Sequence, residues 1–167
     1  MVVRPLKESD LPRVGQLAAL LVRQHHDADP DRFFNIPNVE RGYAEYFRSQ
    51  IKDRKTVLLV AEESGEILGY AYGRLEPRDW NLLLDEHGAI HDILVDPAAR
   101  RKGTGRSLIT EMMAQLAKIG AKRFVLATMV GNQAAQNLFE SMGFRPTMLE
   151  MTAGVATPDG ERPSRRR

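Results

Sequence analysis

From position 100 the chain reads Arg100, Arg101, Lys102, Gly103, Thr104, Gly105, Arg106, a run whose residue types suit an anion. The arginines and the lysine supply mobile positive charge, and the two glycines let the main chain close around a ligand with no Cβ in the way. A short apolar stretch ending at Val95 precedes the run across a turn at Pro97, and a helical pattern starts at Thr104. Unpaired N–H groups at a helix N-terminus carry the positive end of the helix dipole, so strand, loop and helix start in this order make an anion site. The stretch reads as a seat for a pyrophosphate. It is not a P-loop, because Lys102-Gly103 stands in the reverse of the required Gly-Lys order. Nor does it complete a dinucleotide fingerprint, because Leu108 occupies the place of the third glycine. Taken alone, the run also suits a solvated basic turn ahead of a helix.

A second cluster, His25, His26, Asp27, Asp29 and Asp31, invites a metal reading. Its spacing starts like a calcium loop, but Arg32 stands where that loop requires glycine and Asn38 where it requires glutamate. No metal is expected. The chain has no cysteine, which excludes disulfides, thiolate metal sites and a cysteine nucleophile.

Composition narrows the class further. A length of 167 residues suits one domain with a real core. No apolar run approaches the length of a membrane span, and the N-terminal stretch lacks the apolar centre of a signal peptide, so a cytoplasmic location is the default. The net charge of +2 is concentrated after Thr152, where Asp159 and Glu161 face Arg162, Arg165, Arg166 and Arg167. The preceding body is then about neutral, which argues against nucleic acid as a partner.

The elements that must position the loop follow from periodicity. Residues 2–4 read as a strand. Ser9 or Asp10 can cap a helix that Pro12 opens, and its apolar spacing runs to about Gln24. Residues 25–38 read as loop, with Asn38 capping a second helix over 39–51. Strands at 56–61 and 67–75 flank a Ser64-Gly65 hairpin turn, and Leu68, Tyr70 and Tyr72 share one face. After an irregular connection carrying Trp80 come a strand at 89–95, a helix at 104–119 stopped by Gly120, and a strand at 123–128. Asn132 caps or precedes a short helix ended by Gly143, residues 144–151 suggest a final strand, and residues 152–167 a disordered basic tail. The order βααβββαβαβ, with helix crossovers in its second half, calls for an α/β fold with one mixed sheet and helices on both faces.

Arg100, Gly103 and Gly105 directly after the apolar strand ending Val95-Asp96-Pro97 resemble the cofactor loop of the GNAT superfamily of acetyl-CoA-dependent N-acetyltransferases. Asn132, Ala135, Leu138, Phe139, Glu140, Gly143 and Phe144 are similar to the family's second cofactor motif, and Val3-Arg4-Pro5 before Asp10 is also typical. The resemblance spans residues 1–151, read as the acetyltransferase domain. It implies a mostly antiparallel twisted sheet whose central strands splay apart. It also implies that the amides of Arg101, Lys102, Gly103, Thr104, Gly105 and Arg106 hold a pyrophosphate, with Arg100 beside them. Ile93, Leu94 and Val95 would offer main-chain groups to the pantetheine arm, like an added strand. Asn132 would contact the same arm, and Phe139 would pack on the cofactor.

Transfer to an amine needs a base, because an alkylamine is protonated near neutral pH. His91 lies where many family members place a Glu or His for this task, and a neutral imidazole suits it at cellular pH. Asp92 is the alternative. Strand alternation puts it on the opposite face unless a bulge intervenes, and a bulge is common in this strand of the family. Phe139 stands where the family usually has a Tyr that protonates the departing thiolate. A thiol of pKa about 8.5 leaves tolerably without such help. The acids of residues 25–31, with Phe33, Phe34, Tyr72 and Trp80, flank the acceptor cleft of the resembled fold. The expectation is an N-acetyltransferase using acetyl-CoA on a small-molecule or peptide amine, or alternatively a CoA-binding sensor of the same fold that has lost turnover. Dimers are common in the family, but no stretch of this sequence demonstrates one.

Overall fold

The computed structural model describes residues 1–155. Strands β1 (Val2–Pro5), β2 (Thr56–Glu63), β3 (Glu66–Glu76) and β4 (His87–Val95) pair antiparallel in chain order. Strand β5 (Phe124–Leu126) then joins β4 in parallel, a pairing that needs the long helical connection between them. The β2–β3 hairpin turns at Ser64 and Gly65, both with positive φ (52° and 86°). That pair of angles matches the right-handed twist of the flanking strands.

Two faces of the sheet receive helices. Tyr70, Tyr72 and Leu94 join Leu11, Val14, Leu17 and Phe47 in one buried cluster under α1 (Leu11–Ala28) and α2 (Val39–Gln50). On the other face lies α3 (Thr104–Lys118), and here β3 carries glycine twice. A Cβ on Gly69 would stand 2.6 Å from the Leu94 carbonyl oxygen, and one on Gly73 2.6 Å from the Met112 sulfur. The sheet can therefore hold α3 at close range only without those side chains. The expected stop at Gly120 is present, with φ 117°.

The chain forms two compact units, Met1–Gln133 and the part from Ala134 onward. The second holds all but the first residue of α4 (Gln133–Glu140), which Gly143 (φ 92°) ends. Residues 144–151, expected as a final strand, form none. Pro146 has no N–H for a ladder and restricts Arg145 before it, and Met148, Leu149 and Met151 are exposed. Residues 152–155 likewise have no regular structure, and the rest of the expected tail lies outside the described residues. Among the described residues no helix is long and apolar enough to cross a membrane.

Two expectations at the N-terminal end are corrected. Helix α1 runs past Gln24 to Ala28 and stops only before Asp29-Pro30; along this last turn the His25 ring donates from Nδ1 to Leu21 O, and the His26 ring to Phe33 O in the following loop, each at 2.8 Å. Asp10 precedes α1 but does not cap it with its side chain. Its carboxylate instead accepts the Lys7 amide (2.8 Å) and a two-pronged Arg4 guanidinium (2.7 and 3.1 Å), while Arg4 also reaches Glu62 on β2 at 2.6 Å. This clasp ties β1 and β2 to the start of α1.

The Arg4 hydrogen bond, opposed by burial and helped by the Lys7 amide, holds the Asp10 carboxyl below its ordinary range. A carboxyl depressed in the folded state contributes stability above its unfolded pKa of about 3.9, and loses it as pH falls through the folded value. Asp10→Ala should cost about 2 kcal/mol in urea denaturation at pH 7, since it removes the charged acceptor of the Lys7 amide and of Arg4, while Arg4 keeps Glu62. The gap from wild type should narrow steadily below about pH 4.

Candidate active site

The geometry of β4 is set by one extra residue. Tyr72 pairs with Asp92, but the next residue of β3, Gly73, pairs with Ile90, so His91 has no partner of its own. This is a β-bulge. Regular alternation would send His91 and Asp92 to opposite faces. The bulge puts both on the face of Tyr70, Tyr72 and Glu76. The Tyr70 hydroxyl donates to Asp92 Oδ2 at 3.1 Å. The His91 ring stacks on Tyr72 with centroids 5.1 Å apart and planes at 28°, and its Nε2 lies 3.2 Å from Glu76 Oε1. Both base candidates are thus brought together by the bulge on which Asp92 depended.

Burial pushes the Asp92 carboxyl above the usual carboxylate range, against the Tyr70 hydrogen bond and the nearby His91 and His25. Neighbouring phenols are held protonated. Burial, followed by the Asp92 charge, raises Tyr43 to about 12, and the same two causes raise the fully buried Tyr70. Tyr72 is raised by burial and by its 2.7 Å hydrogen bond with the Tyr46 hydroxyl. These tyrosines act as fixed neutral groups around Asp92 and His91. His25 is a member of this neighbourhood that periodicity missed. It enters because α1 continues beyond the point where its apolar pattern fades.

Pairing of β4 with β5 covers only Gly88 with Phe124, Ala89 with Val125 and Ile90 with Leu126. Past the bulge, β4 is paired with β3 alone. The Asp96 amide donates to Leu68 O at 2.8 Å, on the β3 side. Alternation along the strand then turns the main-chain groups of Ile93 and Val95 to the side that β5 has left. Leu94 is turned the other way, opposite Tyr70, with its side chain in the core. The Val95 carbonyl accepts from Arg100 Nε at 3.3 Å.

The anion loop begins at Asp96, whose carboxylate accepts the Ala98 amide (2.9 Å) and Arg13 Nη2 of α1 (2.5 Å). A single 3-10 turn, Pro97–Ala99, leads into Arg101 (φ 66°) and Gly103 (φ 82°), both left-handed, and α3 starts at Thr104. Such a φ costs a non-glycine residue like Arg101 about 1 kcal/mol or more. The buried Thr104 hydroxyl donates to Ala99 O at 3.4 Å and closes the loop. Gly103 O takes the Ser107 amide at 3.0 Å. Among the described residues the amides of Arg101, Lys102, Gly103, Thr104 and Gly105 have no acceptor, so their N–H groups are available together with the dipole of α3. The side chains of Arg100, Arg101, Lys102 and Arg106 surround them in solvent.

Other expected site residues are placed as follows. The Asn132 amide bonds Met129 O at 3.0 Å in the turn before α4. In the second unit, Phe139 packs edge-on against Phe144, with ring centroids 6.0 Å apart. Phe33 packs edge-on against His25, and Phe34 is exposed. Trp80 lies on the β3–β4 connection, 75% exposed, with the Arg78 guanidinium 5.3 Å above its ring. The histidine and aspartate run at 25–31 gathers no group of three metal-ligating side chains among the described residues.

An anion loop between a strand and a helix, beside two strands that part at a bulge, restricts the choice of family. The model of the GNAT acetyltransferase family matches residues 17–144. The chain belongs to this family. It is an acyltransferase. Its relatives include the N-acetyltransferase YhfO of Bacillus subtilis, 27% identical over 86% of this chain and 89% of that one. An N-alpha-acetyltransferase of Sulfurisphaera tokodaii is 30% identical over 60% of this chain and 63% of its own length. Among solved structures, a tetramutant of the BH1408 protein from Bacillus halodurans superposes with a TM-score of 0.77 at 20% identity, covering 93% of this chain and all of that one. That likeness shows the GNAT fold: a mixed, mostly antiparallel sheet with helices on both faces.

The Tyr70 hydrogen bond works against the upward push that burial exerts on Asp92. Tyr70→Phe deletes the donor and keeps the ring, so Asp92 should titrate at higher pH than in wild type. Carboxyl 13C NMR of the labelled protein reads this directly. An unmoved or lowered midpoint contradicts the assigned contact.

Proposed function

We propose that the protein transfers the acetyl group of acetyl-CoA to a primary amine of a small molecule or peptide by direct attack, without a covalent enzyme intermediate. The observation that carries the reading is the bulge at His91. It sets two candidate bases side by side at the point where β4 and β5 separate, with the anion loop at the far end of the same strand.

The residues present fit coenzyme A. The Arg101, Lys102, Gly103, Thr104 and Gly105 amides, with Arg100 and Arg106 beside them, match a diphosphate in charge and donor number. Ile93 and Val95 offer main-chain groups to the amides of a pantetheine arm, in the manner of an added strand. Asn132 is assigned to the same arm. When bound, the cofactor supplies an activated acetyl carbonyl. An alkylammonium has a pKa of about 10, so a proton must leave before its nitrogen can attack. His91 takes that proton, with Asp92 as the second acceptor within the same pocket of tyrosines. A main-chain N–H of β4 facing the gap would stabilise the oxyanion that forms. Phe139 cannot protonate the sulfur, which leaves as a thiolate.

The test is acetylation of a chemically diverse amine panel with acetyl-CoA, followed by thiol release. His91→Ala should lower kcat/KM by roughly 10²–10⁴-fold, and Asp92→Asn by less. Reversing charge with Arg101→Glu and Lys102→Glu should weaken coenzyme A binding by about tenfold or more in calorimetry, with the fold intact. Binding of coenzyme A with no turnover of any amine would favour the sensor reading. No heat with coenzyme A, and no loss on charge reversal, would sink both.

A further inference from the structure

We propose that Glu76 is a positioning residue that holds His91 in its Nε2–H tautomer, and so makes Nδ1 the atom that receives the acceptor's proton. The proposal rests on the reading of His91 as the base. Glu76 Oε1 lies 3.2 Å from His91 Nε2. An ionised carboxylate only accepts hydrogen bonds, so Nε2 carries the hydrogen and the lone pair of the neutral ring sits on Nδ1. Among the described residues Nδ1 has no hydrogen-bond partner.

The ring is fixed in plane as well as in tautomer. It lies on Tyr72, whose hydroxyl is tied to Tyr46 of α2 at 2.7 Å, so the support cannot swing. Glu76 also has a cation within electrostatic reach. Arg74 on the same strand stands 3.9 Å from its second oxygen and is itself held by Asp53 at 3.1 Å. The other titratable groups around the ring are Tyr72 beneath it, whose hydroxyl is bonded to Tyr46, and the adjacent Asp92, which Tyr70 occupies; His25 of α1 acts on Asp92, and its Nδ1 is committed to Leu21 O. Glu76 is therefore the group that orients the imidazole.

The proton balance is direct. An N–H bond of the acceptor ammonium breaks and an Nδ1–H bond forms, leaving an imidazolium whose opposite nitrogen still donates to the Glu76 carboxylate. The freed nitrogen pair forms the C–N bond, the C–S bond breaks, and the sulfur leaves with its electron pair; the acylated nitrogen then releases its second proton, which the thiolate takes up through solvent, giving a neutral amide and a neutral thiol. This arrangement repeats the general logic in which a third group orients the base of a catalytic pair.

The test combines spectroscopy with kinetics on the intact chain. In 1H–15N spectra of 15N-histidine-labelled protein, the resonance lost in His91→Gln should show a protected proton on Nε2 and none on Nδ1. Glu76→Ala should remove that protected proton and lower kcat by about tenfold or more, with KM for both substrates unchanged. Glu76→Gln, whose amide carbonyl accepts the same hydrogen bond, should restore both signals. A wild-type proton on Nδ1, or an Ala variant with full kcat, overturns the proposal, as does equal damage from Ala and Gln. Full activity in His91→Ala removes the base reading and this proposal with it. An inactive His91→Ala beside a fully active Glu76→Ala removes the role of Glu76 alone.

Discussion

Parallel pairing between β4 and β5 stops at Ile90 and Leu126, and the next residue of β4 is the unpaired His91. Much of the site follows from this local arrangement. Because pairing stops, the main-chain groups of Ile93 and the Val95 N–H lie along an unzipped edge, where a polar group without a partner costs free energy that a ligand amide recovers. Because the extra residue intervenes, two consecutive side chains face one way in a strand that elsewhere alternates. Gly73, opposite Ile90, is also where the sheet admits Met112 of α3. The bend in one strand and the seat of the helix behind it are thus joined at one position.

The loop at the other end of β4 is held from several directions. Arg13 reaches it from α1 through Asp96, Arg100 turns back to Val95, and Thr104 closes it onto Ala99. These contacts set its curvature, and Arg100 is the cation among them. They leave the amides of Arg101, Lys102, Gly103, Thr104 and Gly105 facing outward, so the backbone supplies geometry and the side chains supply attraction.

Sequence made the loop legible because its chemistry is local: glycines, cations and a helix start within a few residues. The base candidates could be named, but their common face could not be read, since a bulge is decided by pairing across strands. Glu76 was invisible for the same reason. It lies far from His91 in the chain and carries no motif. His25 was assigned to a loop because apolar spacing ends near Gln24, while the backbone ladder of α1 continues to the Asp29 amide on the His25 carbonyl, which apolar periodicity does not encode. Residues 144–151 misled in the opposite sense, since an apolar run looks like a strand even where Pro146 denies it a ladder. The Asp10 cap was misread through competition, because a guanidinium and the Lys7 amide claim the oxygens that would have served α1.

Trp80 is the chain's single tryptophan, and it stands in water on the β3–β4 connection. An indole already solvated in the native state has little further to travel in polarity when the chain unfolds. Intrinsic emission from this protein therefore reports the surroundings of one surface loop and is nearly blind to the melting of the core. The buried tyrosines, Tyr70 above all, are the chromophores whose near-ultraviolet dichroism follows the packing of the sheet.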